Sequence, residues 1–290
     1  MDVTQPPPVN SAWEEKVFTY WDNKRTDRLN LMPEIDAYVH SHFAVTDFDG
    51  TVLDTAPDKR EDAVLAELHR IENEQVGRFL DILGDLPANA VLLDSGCGRG
   101  GTSIMAHERF GCRVEGVDFS PYRLDCARQA AAGRGCADAV TFHLGNMTAT
   151  GRLEHAYDAV VINEAAEHVD DNDGVCAEAA RLLKPGGLFA IATWLAHDDA
   201  GQASEEVAAI DRHYRTRIYT RKNLIRAMVA HHLIPRQIHD LTRQAIPYWE
   251  LRSASAHKTG VEEPFLAAYQ STPVKMNYLF LLADYQPSAS

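Results

Sequence analysis

Leu92-Leu93-Asp94-Ser95-Gly96-Cys97-Gly98-Arg99-Gly100-Gly101 reads as a buried strand running into a glycine-rich turn and then a helix. Backbone with so little side chain can press against a ligand, and the helix behind the turn offers unpaired N–H groups. The spacing is Asp-x-Gly-x-Gly-x-Gly. It is not the Gly-x-Gly-x-x-Gly of dinucleotide sites, and no Gly-Lys-Ser/Thr follows as in a P-loop. Asp94, two residues before the first glycine, would repel a diphosphate but can engage a cationic amino group.

Outward from this turn, strand and helix alternate. Residues 91–94 read as the first strand and 102–110 as a helix. Residues 113–117 form a second strand, and Ser120-Pro121 opens a helix with serine at the N-cap and proline at N1. Strands at 140–144, 156–163 and 188–193 follow, with a helix ending near 183 and a turn at Pro185-Gly186-Gly187. This βαβ rhythm predicts an α/β fold: a mostly parallel sheet with helices on both faces. Before it, residues 61–83 carry a helical apolar stripe of Val64, Leu68, Ile71, Phe79 and Ile82. After it come helices at 204–214, 221–231 and through 243–270, and strands at 233–241 and 278–285. Residues 1–10 read as a disordered tail and 11–60 as an aromatic-rich helical lid, broken near residues 30–33. The main domain is expected at 61–285, with substrate-pocket helices inserted around 203–270.

The 290 residues are 45% hydrophobic and 24% charged, which fits a well-cored globular protein. A net charge of -14 argues against a nucleic-acid partner. No apolar run approaches the roughly 20 residues of a membrane span, and the N-terminus lacks a signal-peptide core, so a cytoplasmic protein is expected. The five cysteines form no Cys-x-x-Cys and imply neither disulfides nor a zinc site.

Further candidates fall at strand ends, where open α/β sheets bind ligands. Asp118 ends the second strand and can accept both hydroxyls of a ribose. Asn146 and Met147 follow the third strand and suit an adenine edge and face. Asn163 and Glu164 end the fourth. Each has a plainer reading alone: Asp118 as a helix-start carboxylate, Met147 as core. In order, at successive strand ends, they resemble the S-adenosylmethionine-dependent methyltransferases, whose Rossmann-like fold carries a seven-stranded sheet. The cofactor-binding set is then Tyr20, Gln75, Asp94, Gly96, Gly98, Gly100, Asp118, Asn146, Met147 and Asn163.

The run 99–112 also resembles bacterial geranyl diphosphate C-methyltransferases, as do Tyr20-Trp21, His40-Ser41-His42-Phe43, Leu68-His69-Arg70, Asn163-Glu164, Pro247-Tyr248-Trp249 and Gly260-Val261-Glu262-Glu263. The resemblance implies methylation of an alkene carbon of an isoprenoid, most directly a prenyl diphosphate. The alkene attacks the sulfonium methyl, aromatic faces stabilise the carbocation, and a carboxylate removes a proton. Glu164 matches the family's acidic residue and is the expected base; Glu167, one helical turn on, is a second candidate. Phe43 stands where the family usually has tyrosine, keeping the aromatic face and losing a hydroxyl. Ala165-Ala166-Glu167-His168 departs from the small hydroxyl and aromatic residues common there.

Substrate contacts are expected from His40, His42, Tyr214, Tyr248 and Trp249, with Tyr20, Trp194 and Tyr219 as further aromatic candidates. The resemblance implies Mg²⁺ bridging the substrate's diphosphate, without a protein metal motif; available cations are His40, His42, His69, Arg70, Arg215, Arg217 and Arg221. Two other readings stay open. One is C-methylation of a prenyl group already on an indole or terpenoid. The other is O- or N-methylation of a small natural product, with His168 or His213 as base. A lid that packs on a neighbouring subunit would make a homo-oligomer.

Overall fold

The computed structural model describes residues 8–29, 33–199 and 204–287. Residues 1–7 of the expected tail, the expected break at 30–32 and the start of the insertion at 203 lie outside them. The elements run α1 (Ala12–Asn23), α2 (Pro33–Asp36), a 3₁₀ turn (Gly50–Asp54), α3 (Pro57–Asp81), β1 (Val91–Ser95), α4 (Gly101–Phe110), β2 (Arg113–Asp118) and α5 (Pro121–Gly133). Then come β3 (Val140–Leu144), β4 (Tyr157–Asn163), a 3₁₀ turn (Ala166–His168), α6 (Asn172–Leu182), β5 (Leu183–Ala196), α7 (Glu205–Tyr214) and α8 (Arg221–Ala230). The chain closes through β6 (Leu233–Asp240), α9 (Ile246–Ala254), α10 (Glu262–Gln270) and β7 (Met276–Tyr285).

The described strands form one seven-stranded sheet ordered β3-β2-β1-β4-β5-β7-β6. The first five are parallel; β7 inserts antiparallel between β5 and β6. Strand order reverses between β1 and β4, which opens a crevice at their carboxyl ends. Alternate strand residues feed two cores. Leu92, Val161, Ala190 and Phe280 pack under α3, α4, α5, α7, α9 and α10. Leu93, Val160, Ile191 and Leu281 pack under α6 and α8.

Local chemistry sets the helix starts. Ser120 accepts the Arg123 N–H at the N-cap of α5, with Pro121 behind it, as the sequence predicts. Ser204 and Thr220 cap α7 and α8 the same way. The strand predicted at 188–193 is longer, because 188–196 pair with β7 throughout. Pro185-Gly186-Gly187 is an irregularity inside β5, since Leu183 already pairs with Tyr157. His40 and His42 lie on irregular chain between α2 and the first 3₁₀ turn. Their rings still meet, with centroids 4.6 Å apart.

Two glycines separate backbone need from helix cost. Gly100 starts α4 at φ 86°, and a Cβ there would sit 2.8 Å from Phe142 Cζ and 3.0 Å from Ala127 Cβ. Gly77 lies inside α3, and a Cβ there meets nothing within 4 Å. Gly100→Ala is expected to cost about 2–4 kcal/mol, from a left-handed conformation plus overpacking. Gly77→Ala is expected to stabilise by about 0.5–1 kcal/mol. Thermal unfolding followed by circular dichroism should show opposite shifts in Tm; shifts of the same sign would contradict this account.

Candidate active site

The crevice at the ends of β1, β2 and β4 forms a cavity. Of the expected cofactor residues, Asp94, Gly96, Gly98, Asp118, Asn146, Met147 and Asn163 line it. Gly96 turns at φ 81°, and a Cβ there would fall 2.5 Å from Ala165 Cβ and 2.7 Å from Met147 Cε. The turn therefore needs glycine for both conformation and clearance. Gly100 lies one step behind the wall and starts α4. Tyr20 is outside this cavity; along α1 it is the next residue, Trp21, that closes over it. Gln75 is also outside, fully buried behind Asn163.

The two strand-end carboxylates differ. Asp94 is buried, and loss of solvent pushes its carboxyl up to about 7; the Ser103 hydroxyl at 2.6 Å opposes this and Asp118 adds to it. A bound ammonium would return it to the ionised form. Asp118 accepts the Gly98 N–H at 3.0 Å and the Ser120 N–H at 2.9 Å, tying the turn to the start of α5. Asn146 accepts the Thr148 N–H and donates to the Pro8 carbonyl at 3.0 Å. Its amide is thus partly engaged, and residues 8–10 of the expected disordered tail pack at the cavity rim.

Glu164 is the centre of the site. It lines the cavity from the end of β4 with backbone φ 49°, a strained conformation for a side-chain-bearing residue. Its N–H is held by the Ala192 carbonyl of β5 at 2.9 Å. Its carboxylate accepts the Phe43 N–H at 3.0 and 3.1 Å, and the Tyr278 hydroxyl. Burial pushes its pKa well above the carboxylate range; the Tyr278 bond opposes the shift, while Glu167 and Glu72 reinforce it. Behind it runs a hydrogen-bonded chain. The Gln75 amide donates to Tyr278 at 3.0 Å and to Asn163 at 2.9 Å, and Asn163 donates to Thr102 at 3.1 Å, in the first turn of α4. Glu167 is placed differently. Its carboxylate turns toward β5, accepting the Thr193 hydroxyl at 2.5 Å and the Trp194 N–H at 3.0 Å, and it does not line the cofactor cavity.

On the far side of Glu164, Phe43 fills an aromatic box. Its ring centroid lies 5.0 Å from Trp194, 5.7 Å from Tyr214, 5.6 Å from Tyr248, 4.5 Å from Trp249 and 5.2 Å from Phe265. The expected substrate residues Tyr214, Tyr248 and Trp249 are thus brought together with Phe43. His40 and His42 are not: they line the cofactor cavity. Burial pushes the pKa of His40 down to about 4 and that of His42 well below its usual range, which favours the neutral ring at both. His69 and Arg70 are committed to Asp36 and to Glu67 and Glu74. The cations at the box are half-buried Lys24 and buried Arg252, neither of them a candidate from the sequence. Lys24 Nζ lies 5.4 Å from the Tyr214 ring centroid and pairs with Asp27 at 2.9 Å. Arg252 donates to Tyr248 at 3.2 Å and to Glu262 at 2.9 Å. His168, the base of the alternative reading, stacks edge-on against Trp21, with Nδ1 3.2 Å from the Arg215 carbonyl.

A methyltransferase-domain family matches residues 93–191. The geranyl diphosphate 2-C-methyltransferase of Saccharopolyspora erythraea is 39% identical over 275 residues, covering 94% of this chain and 95% of its own. That of Streptomyces lasalocidi is 34% identical, covering 96% and 92%. The crystal structure of geranyl diphosphate C-methyltransferase from Streptomyces coelicolor A3(2), with Mg²⁺, geranyl-S-thiolodiphosphate and S-adenosyl-L-homocysteine, superposes with a TM-score of 0.90 at 34% identity, covering 96% of this chain and 100% of that one. With the glycine turn, the strand-end carboxylates and the buried glutamate in the same chain as these full-length matches, the protein belongs to the geranyl diphosphate C-methyltransferase family of S-adenosylmethionine-dependent enzymes.

Proposed function

We propose that the protein transfers a methyl group from S-adenosylmethionine to an alkene carbon of an isoprenoid diphosphate such as geranyl diphosphate. The observation that carries this reading is the position of Glu164, between the cofactor cavity on one side and the aromatic box on the other. The cofactor supplies an electrophilic methyl group when bound. The alkene π pair would form the new C–C bond as the methyl–sulfur bond breaks with its pair left on sulfur, leaving a tertiary cation on the substrate. Desolvated faces of Phe43, Trp194 and Trp249 can stabilise that cation by about 2 kcal/mol each or more. Glu164 then takes a proton from the neighbouring carbon, and the C–H pair restores the alkene. The box excludes the water that would quench the cation. Lys24 and Arg252 supply charge for the diphosphate. A Mg²⁺ ion accompanying the substrate would supply further charge for the diphosphate.

Incubation with labelled S-adenosylmethionine and isopentenyl, geranyl or farnesyl diphosphate tests the reading. Label entering only a prenylated indole or phenol would overturn the diphosphate substrate. Glu164→Gln is expected to lower kcat by about 10²–10⁴-fold. Calorimetric binding of S-adenosylhomocysteine should stay near normal. Full turnover by this variant would remove Glu164 from the chemistry.

Tyr278 is a positioning residue for that base, and its effect has a sign. Glu164 must be ionised to act, so kcat rises with pH through its raised pKa. Glu167, Glu72 and Tyr269 face it from the 3₁₀ turn, α3 and α10, with His42 on the cavity wall. Tyr278→Phe removes a donor that favours the carboxylate form, so the acid limb of the kcat profile should move to higher pH. A lowered kcat with an unmoved limb would reduce Tyr278 to a packing role.

A further inference from the structure

The chain carries 42 acidic against 28 basic residues, so an anionic substrate meets a repelling field over most of the surface. One open cleft has the opposite character. It lies between α1 and the segment joining α7 to α8, and presents Lys16, Arg212, Arg215 and Arg217. None of these four closes an ion pair among the described residues. Exposed arginines elsewhere do: Arg109 with Asp81, Arg134 with Glu108, Arg236 with Asp284. Two carboxylates line the cleft, and Asp211 turns inward to accept the Thr216 hydroxyl and the Ile218 N–H. Only Glu15 is left to balance the four cations.

The cleft leads inward. Lys16, Tyr20 and Lys24 are spaced by four along α1 and its C-cap, so they share one face of the helix. Tyr20 forms part of the cleft wall, and its ring lies 5.5 Å from Lys24 Nζ. That ammonium is in turn 5.4 Å from the Tyr214 ring of the aromatic box. One side chain thus separates the cationic cleft from the half-buried Lys24 at the box. We propose that this cleft is the docking and entry site for the diphosphate head of the substrate, with Tyr20 as the side chain it must pass to reach Lys24. The proposal rests on the diphosphate reading above. It adds where the anion first binds: on four surface cations, ahead of Lys24 and Arg252.

The test is the charge-reversed double variant Arg212→Glu with Arg215→Glu. Its control, Arg113→Glu with Arg243→Glu, makes the same change in net charge on β2 and before α9, away from the cleft. Circular dichroism establishes that both fold. Electrostatic steering changes on-rates by about 10–10³-fold. The cleft variant should therefore lose at least about tenfold in kcat/KM for geranyl diphosphate at low salt, relative to the control. Its dependence on ionic strength should flatten, with kcat and the KM for S-adenosylmethionine unchanged. Equal kcat/KM and equal salt slopes in the two variants would overturn the proposal. Calorimetry with magnesium and inorganic pyrophosphate separates it from the reading it rests on. If the wild-type protein methylates no prenyl diphosphate, the assigned substrate fails. Pyrophosphate binding weakened in the cleft variant alone would still support the cleft as an anion site, and undiminished binding would end it.

Discussion

The site depends on one buried carboxylate that, in the proposed reaction, must be kept available as a base in a dry space. Glu164 meets that constraint through strain and through its neighbours. Its backbone sits at φ 49°, a conformation that costs on the order of 1–3 kcal/mol in a non-glycine residue. Three separate elements hold it there: β5 through the Ala192 carbonyl, the segment before the first 3₁₀ turn through the Phe43 N–H, and β7 through the Tyr278 hydroxyl. The antiparallel insertion of β7 beside β5 is therefore more than a sheet detail. It delivers Tyr278 to the end of β4, where a purely parallel continuation would place a different strand end.

Around that carboxylate the molecule is built in two halves of different origin. The cofactor half comes from contiguous strand-turn-helix units between β1 and β4, where backbone geometry does most of the work. The aromatic half is gathered from Phe43, Trp194, Tyr214, Tyr248, Trp249 and Phe265, which no short stretch of chain unites. The helix α1 joins the halves. Trp21 covers the cavity against His168, Asp22 accepts the Ser120 hydroxyl at 2.7 Å, and the Lys24 carbonyl accepts from Arg99 at 2.7 Å. These contacts hold the glycine turn and cover the cavity at once.

This division explains what was legible in the sequence. Asp94, the glycines and Asp118 could be read because their spacing along the chain is their spacing in the site. Glu164 could be read because it ends a predicted strand. Tyr278, Lys24 and Arg252 could not, because their roles rest on contacts that no periodicity encodes: Tyr278 is 114 residues from Glu164. The histidines failed for a physical reason. As letters, His40 and His42 are cations in reserve; as buried rings they favour the neutral form. Tyr20 and Trp21 show the limit of resolution, since one step along a helix turns a side chain from the cavity to the outer cleft.

The electrostatics of the site follow a single logic. Asp94, Glu164 and Glu167 are buried carboxyls, each supported by hydroxyl or amide donors and none by an ion pair. For stability alone this is a poor arrangement: burial raises all three above their unfolded values, so they oppose folding as pH rises through the raised range. An intramolecular arginine or lysine at each would relieve that penalty, but it would also occupy the ground on which a cationic ligand must be recognised. In the proposed reaction, the cofactor's ammonium and the substrate's carbocation are positive near Asp94 and Glu164, while Glu167 faces β5. In the proposed reaction, the lack of an intramolecular ion pair at Asp94 and Glu164 keeps the pocket complementary to charge that arrives with the cofactor and develops in the transition state.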